Sequence, residues 1–190
     1  MPVDPLLEVI ALVTNALDRQ GVVYAVTGSV ASGIYGEPVT SIDVDIAVRM
    51  TPDQAAEVAQ RLRPRFYADA DMLRQAARDC SLANLIDQQT TLKVDISVLE
   101  NTPYHEEVLK RRTRISYPGS DTSFWVVSKE DIILMKLLWR RDSRSRKQWE
   151  NALGVVQVQG HRLDWPYLRC WAQRLGVEED LDQLAREAGI

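Results

Sequence analysis

Two segments, 41–50 and 92–99, constrain this chain most, because apolar and polar residues alternate along both of them. A β-strand repeats every two residues, so each segment is predicted to form a strand with one apolar and one polar face. The apolar faces pack into a core, whereas Asp43, Asp45 and Asp95 lie on the polar faces. If the two strands are neighbours in a sheet, these three carboxylates meet on one patch.

Three carboxylates on one patch repel one another, so a cation must compensate them or one of them must hold a proton. Mg²⁺ meets the first requirement, because it prefers a few carboxylate oxygens together with phosphate and water. Two such ions about 4 Å apart would hold both the attacking and the leaving oxygen of a phosphoryl displacement. The pattern therefore favours a site for two Mg²⁺ ions, with Mn²⁺ as a substitute.

A Gly-Ser pair precedes the first of these strands. An apolar strand predicted over 22–27 breaks at Gly28 and Ser29, and a short helical turn follows that ends at Gly36. Such a strand end offers free backbone N–H groups and a helix N-terminus to a phosphate chain. Taken alone it is most often an ordinary turn, and acids on an open strand face are often only solvated. It is their combination in this order that points to phosphate chemistry.

The rest of the chain predicts an α/β (α+β) fold, with a short mixed sheet flanked by helices and a helical bundle at the C-terminal end. The division expected is an α/β domain over 1–127 and a helical region over 128–190. Helices are predicted over 5–20, 51–63, 71–79, 129–139, 145–157, 165–175 and 178–188, and further strands over 82–86 and 124–127.

Several motifs resemble those of the DNA-polymerase-β-like nucleotidyltransferases. The run from Gly28-Ser29 to Asp43-x-Asp45 is similar to the family signature, and 93–95 is similar to its third-carboxylate strand. Residues 128–137 resemble the helical motif after the sheet, and the likeness continues over 146–151, so it spans most of the chain. It is closest to the minimal branch, which includes abortive-infection and toxin–antitoxin nucleotidyltransferases.

The resemblance implies two-metal transfer of a nucleoside monophosphate from a nucleoside triphosphate, such as ATP, to a hydroxyl, with pyrophosphate leaving. It assigns Asp43 and Asp45 to the metals, and Asp95 to metal binding and to activation of the attacking hydroxyl. The residues that it assigns to the nucleotide are Gly28, Ser29 and Lys136.

Two positions depart from the family pattern. Relatives often carry an arginine where Val39 stands and an acid where Asn151 stands. Neither change touches the metal acids, but both weaken triphosphate or acceptor handling. The alternative is therefore a catalytically degenerate nucleotide-binding or regulatory protein with the same fold. A further alternative is a toxin whose activity an antitoxin partner masks. The acceptor (tRNA or other RNA, a protein or a small molecule) and the nucleobase stay open.

Composition narrows the class of protein. The formal net charge is −4, which argues against a protein that coats nucleic acid non-specifically. No apolar run is long enough to span a bilayer, and the N-terminus does not resemble a secretory signal, so a cytoplasmic protein without a membrane partner is expected. Cys80 and Cys170 are predicted to be reduced thiols in the interior.

Dense positive charge occurs in two runs, 110–114 and 140–147. Either run is suited to line an RNA acceptor groove or to meet a triphosphate. The first run is more typical of an ordinary solvated face, whereas the second overlaps the family motif and is favoured for a functional role. His105 and His161 are isolated and form no acid–base or zinc pattern. Covalent hydrolase chemistry has no support, because no Ser/His/Asp or Cys/His arrangement is present.

Overall fold

The computed structural model describes residues 4–38, 41, 43–116 and 122–190. Over these residues the fold is mixed α/β, as predicted. In chain order the described elements are α1 (Pro5–Arg19), β1 (Val23–Val26), α2 (Gly28–Tyr35), β2 (Asp43–Arg49), α3 (Pro52–Leu62), β3 (Phe66–Tyr67), α4 (Ala70–Asp79), β4 (Leu82–Asp87), β5 (Lys93–Val98), α5 (Pro103–Lys110), β6 (Thr113–Ser116), β7 (Ser123–Val126), α6 (Lys129–Ser143), α7 (Arg146–Gln159), α8 (Trp165–Leu175) and α9 (Glu178–Glu187).

These elements form two compact units. The first comprises Met1–Thr27 and Ser41–Val126 and holds the strands together with α1, α3, α4 and α5. The second comprises Gly28–Thr40 and Val127–Ile190 and holds α2 and α6 to α9. Helix α2 thus lies with the C-terminal helices although it precedes most of the sheet in sequence. The domain division between residues 127 and 128 stays a prediction.

The first unit is built on one mixed sheet. Over the described residues its strand order is β3-β4-β5-β2-β1-β7-β6. Strands β2 and β5 are parallel neighbours, as are β1 and β7, and the other neighbouring pairs are antiparallel. The two acid-bearing strands are neighbours, which is the condition under which their carboxylates share one patch.

Alternation along β2 and β5 sets which side of the sheet is buried. Val44 and Ile46 on β2, and Val94 and Ile96 on β5, are fully buried. The residues between them are only partly buried, so the polar faces remain accessible. Full burial of a Val or Ile side chain contributes roughly 2 kcal/mol, which fixes the orientation of both strands. The carboxylates consequently point to the opposite side.

Helix α3 begins where the sequence predicts. Thr51 accepts a hydrogen bond from the backbone N–H of Gln54 at 3.2 Å, and the Gln54 side chain accepts one from the backbone N–H of Thr51 at 2.9 Å. This reciprocal pair satisfies two N–H groups that a helix start otherwise leaves open. Pro52 then occupies the first helical position, where its missing N–H costs nothing.

A buried carboxylate anchors the edge of the sheet at the end of β4. Asp87 is fully buried and is paired with Arg65, whose Nη2 lies 3.2 Å from Oδ2. Thr90 donates to the same oxygen from its hydroxyl at 2.5 Å and from its backbone N–H at 3.2 Å. Burial by itself raises the pKa of Asp87, but the hydrogen bonds from Arg65 and Thr90 outweigh it and lower the pKa to about 2.

The second unit depends on close contact between α2 and α7. A Cβ atom at Gly36, just after α2, would lie 2.8 Å from the backbone nitrogen of Val155 and 2.9 Å from the carbonyl carbon of Gly154. Both distances are too short for a side chain, so only glycine permits this approach. The predicted end of the short helix at Gly36 thus coincides with the point of closest packing.

Some elements differ from expectation. Strands β3 and β6 and helix α5 were not predicted, because the strands are short and partly exposed edge strands and α5 has only eight residues.

Cys80 and Cys170 are free thiols, but both are exposed, so their predicted place in the interior was wrong. None of the described helices is long and apolar enough to cross a bilayer. Val39 lies outside the described residues.

Candidate active site

The three predicted carboxylates lie on neighbouring strands of the first unit. The parallel register of β2 and β5 places Asp45 opposite Asp95 and Asp43 opposite Lys93. Residues paired in register point to the same side of a sheet, so all four side chains share one face. The predicted convergence of these acids on one face therefore follows from the register.

Asp95 is held by two neighbours. The Lys93 ammonium lies 2.9 Å from Oδ2, and the Asn84 amide donates a hydrogen bond to Oδ1. Asn84 is the register partner of Asp95 on β4. Only 13% of the Asp95 side chain is exposed, so these contacts fix its orientation. Asn84 was not predicted as a site residue, although it is the polar residue on the outer face of β4 between Leu82 and Ile86.

Lys93 supplies the positive charge that this face requires. Its pKa is raised, mainly by the hydrogen bond to Asp95 and further by the negative charges of Asp95, Asp43 and Asp45, against the opposing effect of burial. The protein thus compensates part of the repulsion among the three acids with its own cation. A lysine two residues before an aspartate on the same strand face is a signal that the sequence contains.

The donor chemistry of this face fits Mg²⁺, which takes oxygen ligands and usually only one or two carboxylates beside phosphate and water. Asp43, Asp45 and Asp95 are the residues that would hold it. Within the described residues no group of three His, Cys, Asp or Glu side chains is already gathered closely enough to hold a metal ion. The metal assignment therefore stays a prediction.

The Gly-Ser pair begins α2, in the second unit. Gly28 has a φ of 64°, a left-handed conformation that favours glycine. The Ser32 hydroxyl donates to the Gly28 carbonyl at 2.7 Å, and Ser29 is 93% buried, with a relative exposure of 7%. Within the first unit, Thr27 at the end of β1 donates its backbone N–H to the Asp45 carbonyl at 2.8 Å.

Lys136 is also buried in the second unit. It is 2% exposed on α6, and its Nζ lies 5.2 Å from the centre of the Trp139 ring. Helix α6 is capped by the Ser128 hydroxyl, which accepts from the backbone N–H of Asp131 at 3.0 Å. The carboxylates belong to the first unit, whereas the predicted nucleotide-binding residues belong to the second, so their joint contact with a nucleotide stays a prediction.

Asn151, one of the two departures from the family pattern, lies on α7. It is 8% exposed, and its Nδ2 atom has no hydrogen-bond partner among the described residues. A buried amide nitrogen without a partner costs roughly 1–3 kcal/mol. An acid at this place would present no such donor.

No family model matches this chain, and no curated protein does. Among solved structures it is similar to an antigenic nucleotidyltransferase-like protein from Paracoccidioides brasiliensis, with a TM-score of 0.51 and 16% identity over 98% of this chain and 94% of that one. It is also similar to the antibiotic-resistance factor ANT(2'')-Ia, with a TM-score of 0.55 and 10% identity over 94% of this chain and 97% of that one. Identities this low establish the fold alone. The chain therefore has a nucleotidyltransferase-like fold.

Proposed function

We propose that this chain is a nucleotidyltransferase that transfers a nucleoside monophosphate from a nucleoside triphosphate to a hydroxyl acceptor. The acceptor oxygen bonds to the α-phosphorus, the bond from that phosphorus to the β-phosphate oxygen breaks, and pyrophosphate leaves. The observation that carries the proposal is the register pairing of Asp45 with Asp95, with Asp43 on the same sheet face.

Each residue of that face has a role. Asp95 accepts the proton of the attacking hydroxyl, and Asn84 and Lys93 orient its carboxylate for that purpose. Asp43 and Asp45, with Asp95, hold the divalent cations. When bound, Mg²⁺, or Mn²⁺ in its place, neutralises charge on the transferred phosphate and polarises the acceptor oxygen.

Gly28, Ser29 and Lys136 bind the triphosphate in this proposal. The left-handed Gly28 opens the backbone N–H groups at the start of α2 to an anion, and the positive end of the helix favours that charge. Lys136 adds a cation on α6.

The domain boundary at residue 127, the cytoplasmic location and a toxin–antitoxin role with an antitoxin partner remain predictions.

The test is calorimetric titration of the protein with each of the four NTPs in the presence of Mg²⁺. Wild type is expected to bind at least one NTP, and Asp43→Asn/Asp45→Asn is expected to lose that binding while remaining folded. The matched control is Asp71→Asn/Asp79→Asn, which removes two exposed acids from α4. Folded wild type that binds none of the four NTPs would overturn the proposal.

A second function is favoured by two observations. Lys93 and Asn84 already engage both oxygens of Asp95, and Asn151 stands on α7 where the family resemblance implies an acid. Both are consistent with a protein that binds a nucleotide without transferring it and has a regulatory role. NTP binding without pyrophosphate release, in the presence of RNA and small-molecule acceptors, would identify this alternative.

A further inference from the structure

We propose that the acceptor is a single-stranded nucleic acid, and that Arg112 and Arg114, stacked on Trp125, bind its phosphates. That this strand is the acceptor rests on the proposed function. That the protein binds the strand does not depend on the proposed function. The three residues, referred to below as the Arg–Trp cluster, lie at β6 and β7 in the same unit as the carboxylates.

The sheet register relates this cluster to the candidate active site. Val26 pairs with Ile46 on one side and with Val126 on the other, and Val126 pairs with Thr113. Strands β2 and β6 run in the same direction. Asp45 directly precedes Ile46 and Arg112 directly precedes Thr113, so the two lie on the same side of this row. They are three strand positions apart, which is about 14 Å.

The cluster holds two guanidinium groups in place. The Arg112 guanidinium carbon lies 4.6 Å from the centre of the Trp125 ring, and that of Arg114 lies 5.6 Å from it. Arg114 also donates from Nε and Nη2 to the Ser123 hydroxyl, at 3.0 and 2.9 Å. A guanidinium stacked on an aromatic ring keeps N–H groups at its rim, where they match phosphate oxygens. Because both guanidinium groups are already held against Trp125, binding a phosphate would cost little side-chain entropy.

One buried donor of the cluster lacks an acceptor. Arg112 Nε is buried without a hydrogen-bond partner among the described residues, whereas Arg112 Nη1 donates to the Leu109 carbonyl at 2.5 Å. Buried donors are usually satisfied in folded proteins. An oxygen-rich ligand at this guanidinium would therefore supply an acceptor that the described residues do not.

Local charge favours an anion with several phosphates. The run 110–114 holds four cations, although the chain as a whole carries a formal charge of −4. Lys110 is paired only loosely, with Glu107 at 3.9 Å. A cationic small-molecule acceptor would be repelled here, whereas a strand with repeating phosphates is attracted. Base stacking against the Arg–Trp cluster would add affinity without sequence preference.

The other basic run, 140–147, does not offer the same surface. Arg140 donates to Asp180 at 2.6 Å and stacks on Trp149 at 4.4 Å, while Arg146 pairs with Glu150 at 2.7 Å. Arg141 donates to the Leu175 carbonyl at 2.9 Å. Arg140 and Arg141 thus hold helices of the second unit together. The acceptor strand is assigned to the first run because that run adjoins β6, which belongs to the same sheet as the carboxylates.

The experiment is fluorescence anisotropy of labelled single-stranded RNA and DNA oligonucleotides, without NTP or divalent metal. Wild type is expected to bind at least one of the two strands, and Arg112→Gln/Arg114→Gln is expected to bind it at least about tenfold more weakly. Loss of two phosphate contacts should also reduce the slope of log affinity against log salt concentration by about 1.4. The matched control is Arg63→Gln/Arg78→Gln, which removes the same charge from exposed positions on or beside α3 and α4.

Circular dichroism and thermal unfolding establish that both double variants are folded. Failure of wild type to bind either strand, equal binding by the Arg112→Gln/Arg114→Gln variant, or preference for an acidic phosphopeptide over both strands would overturn the inference. NTP binding without strand binding would contradict this inference alone. Strand binding without NTP binding would contradict the proposed function and leave the strand site standing.

Discussion

Lys93 and Asp87 show how single charges determine the behaviour of this sheet. Lys93 is paired with Asp95 on the same strand at 2.9 Å, and Asp87 at the end of β4 is paired with Arg65, just before β3, at 3.2 Å. The raised pKa of Lys93 stabilises the fold at every pH below its ordinary value, and that contribution is lost as the pH rises through the folded value. The lowered pKa of Asp87 stabilises the fold at every pH above its ordinary value, and that contribution is lost as the pH falls through the folded value.

Asp87→Asn is expected to reduce the free energy of unfolding at pH 7 by roughly 1–2 kcal/mol, because Arg65 loses its buried anionic partner and keeps the half-exposed Glu8 at 3.2 Å. Wild-type stability from Asp87 is complete above pH 3.8 and disappears as the pH falls through about 2. Urea unfolding between pH 7 and pH 2 measures this. Between pH 3.8 and about 2, the free energy of unfolding should fall less in Asp87→Asn than in wild type. Asp79→Asn, an exposed acid on α4, is the control.

Lys93→Gln is expected to increase the affinity for Mn²⁺ several-fold, because it removes a positive charge beside Asp95 and frees one of its oxygens. Titration calorimetry with Mn²⁺ alone measures the change, so no turnover is needed. Arg78→Gln, which removes a charge from the outer face of α4, should leave the affinity unaltered. Identical affinity in Lys93→Gln and wild type would indicate that the cation binds elsewhere.

At the scale of elements, two glycines lie where α2 and α7 meet. Gly36 has no room for a side chain, whereas Gly154 has room for a methyl group. Gly36→Ala would place a Cβ 2.8 Å from the Val155 nitrogen, and backbone of a packed helix cannot withdraw cheaply. We expect a loss of about 1–3 kcal/mol in the free energy of unfolding. Gly154→Ala is the matched control: its Cβ would meet Glu37 only at 3.7 Å. Urea unfolding should show Gly154→Ala to be neutral or stabilised, because alanine favours a helix interior.

The long and strongly patterned elements could be predicted from the sequence. Helix α8 matches its predicted bounds, and α3 matches through its capping residues, since both signals are local. The alternation of β2 and β5 predicted their faces for the same reason. Strand β3 has two residues, too few to show a period, and β6 (Thr113–Ser116) has one apolar residue, Ile115. Both pair with a neighbouring strand, and that pairing rather than their own sequence favours the strand conformation.

The candidate site was predictable in part. The position of Asp43, Asp45 and Asp95 on one face of their strands could be predicted, because strand periodicity places side chains on a face without knowledge of the sheet. Asn84 was missed because its contact with Asp95 depends on the antiparallel register of β4 and β5, which the sequence does not encode locally. The grouping of α2 with the C-terminal helices depends on long-range packing at Gly36 and was equally out of reach.

At the scale of the whole molecule, ligand binding and stability are coupled. A ligand that binds only the folded chain stabilises it by about 2.7 kcal/mol at a concentration of 100 times Kd. For a chain of this size that corresponds to a rise in Tm of roughly 5–10 °C. Thermal unfolding with and without Mg²⁺ and the NTP selected by calorimetry measures it. The rise should be absent in Asp43→Asn/Asp45→Asn, and a rise retained there would contradict the assignment of these acids.

The register of β2 against β5 has a consequence for how this chain can vary. Insertion or deletion of one residue within β2 would turn Asp43 and Asp45 toward the core and bring Val44 and Ile46 to the surface, because side chains alternate. Substitutions in loops and helix surfaces leave that arrangement untouched. The length of a seven-residue strand is therefore a stricter constraint on this molecule than the identity of most of its residues.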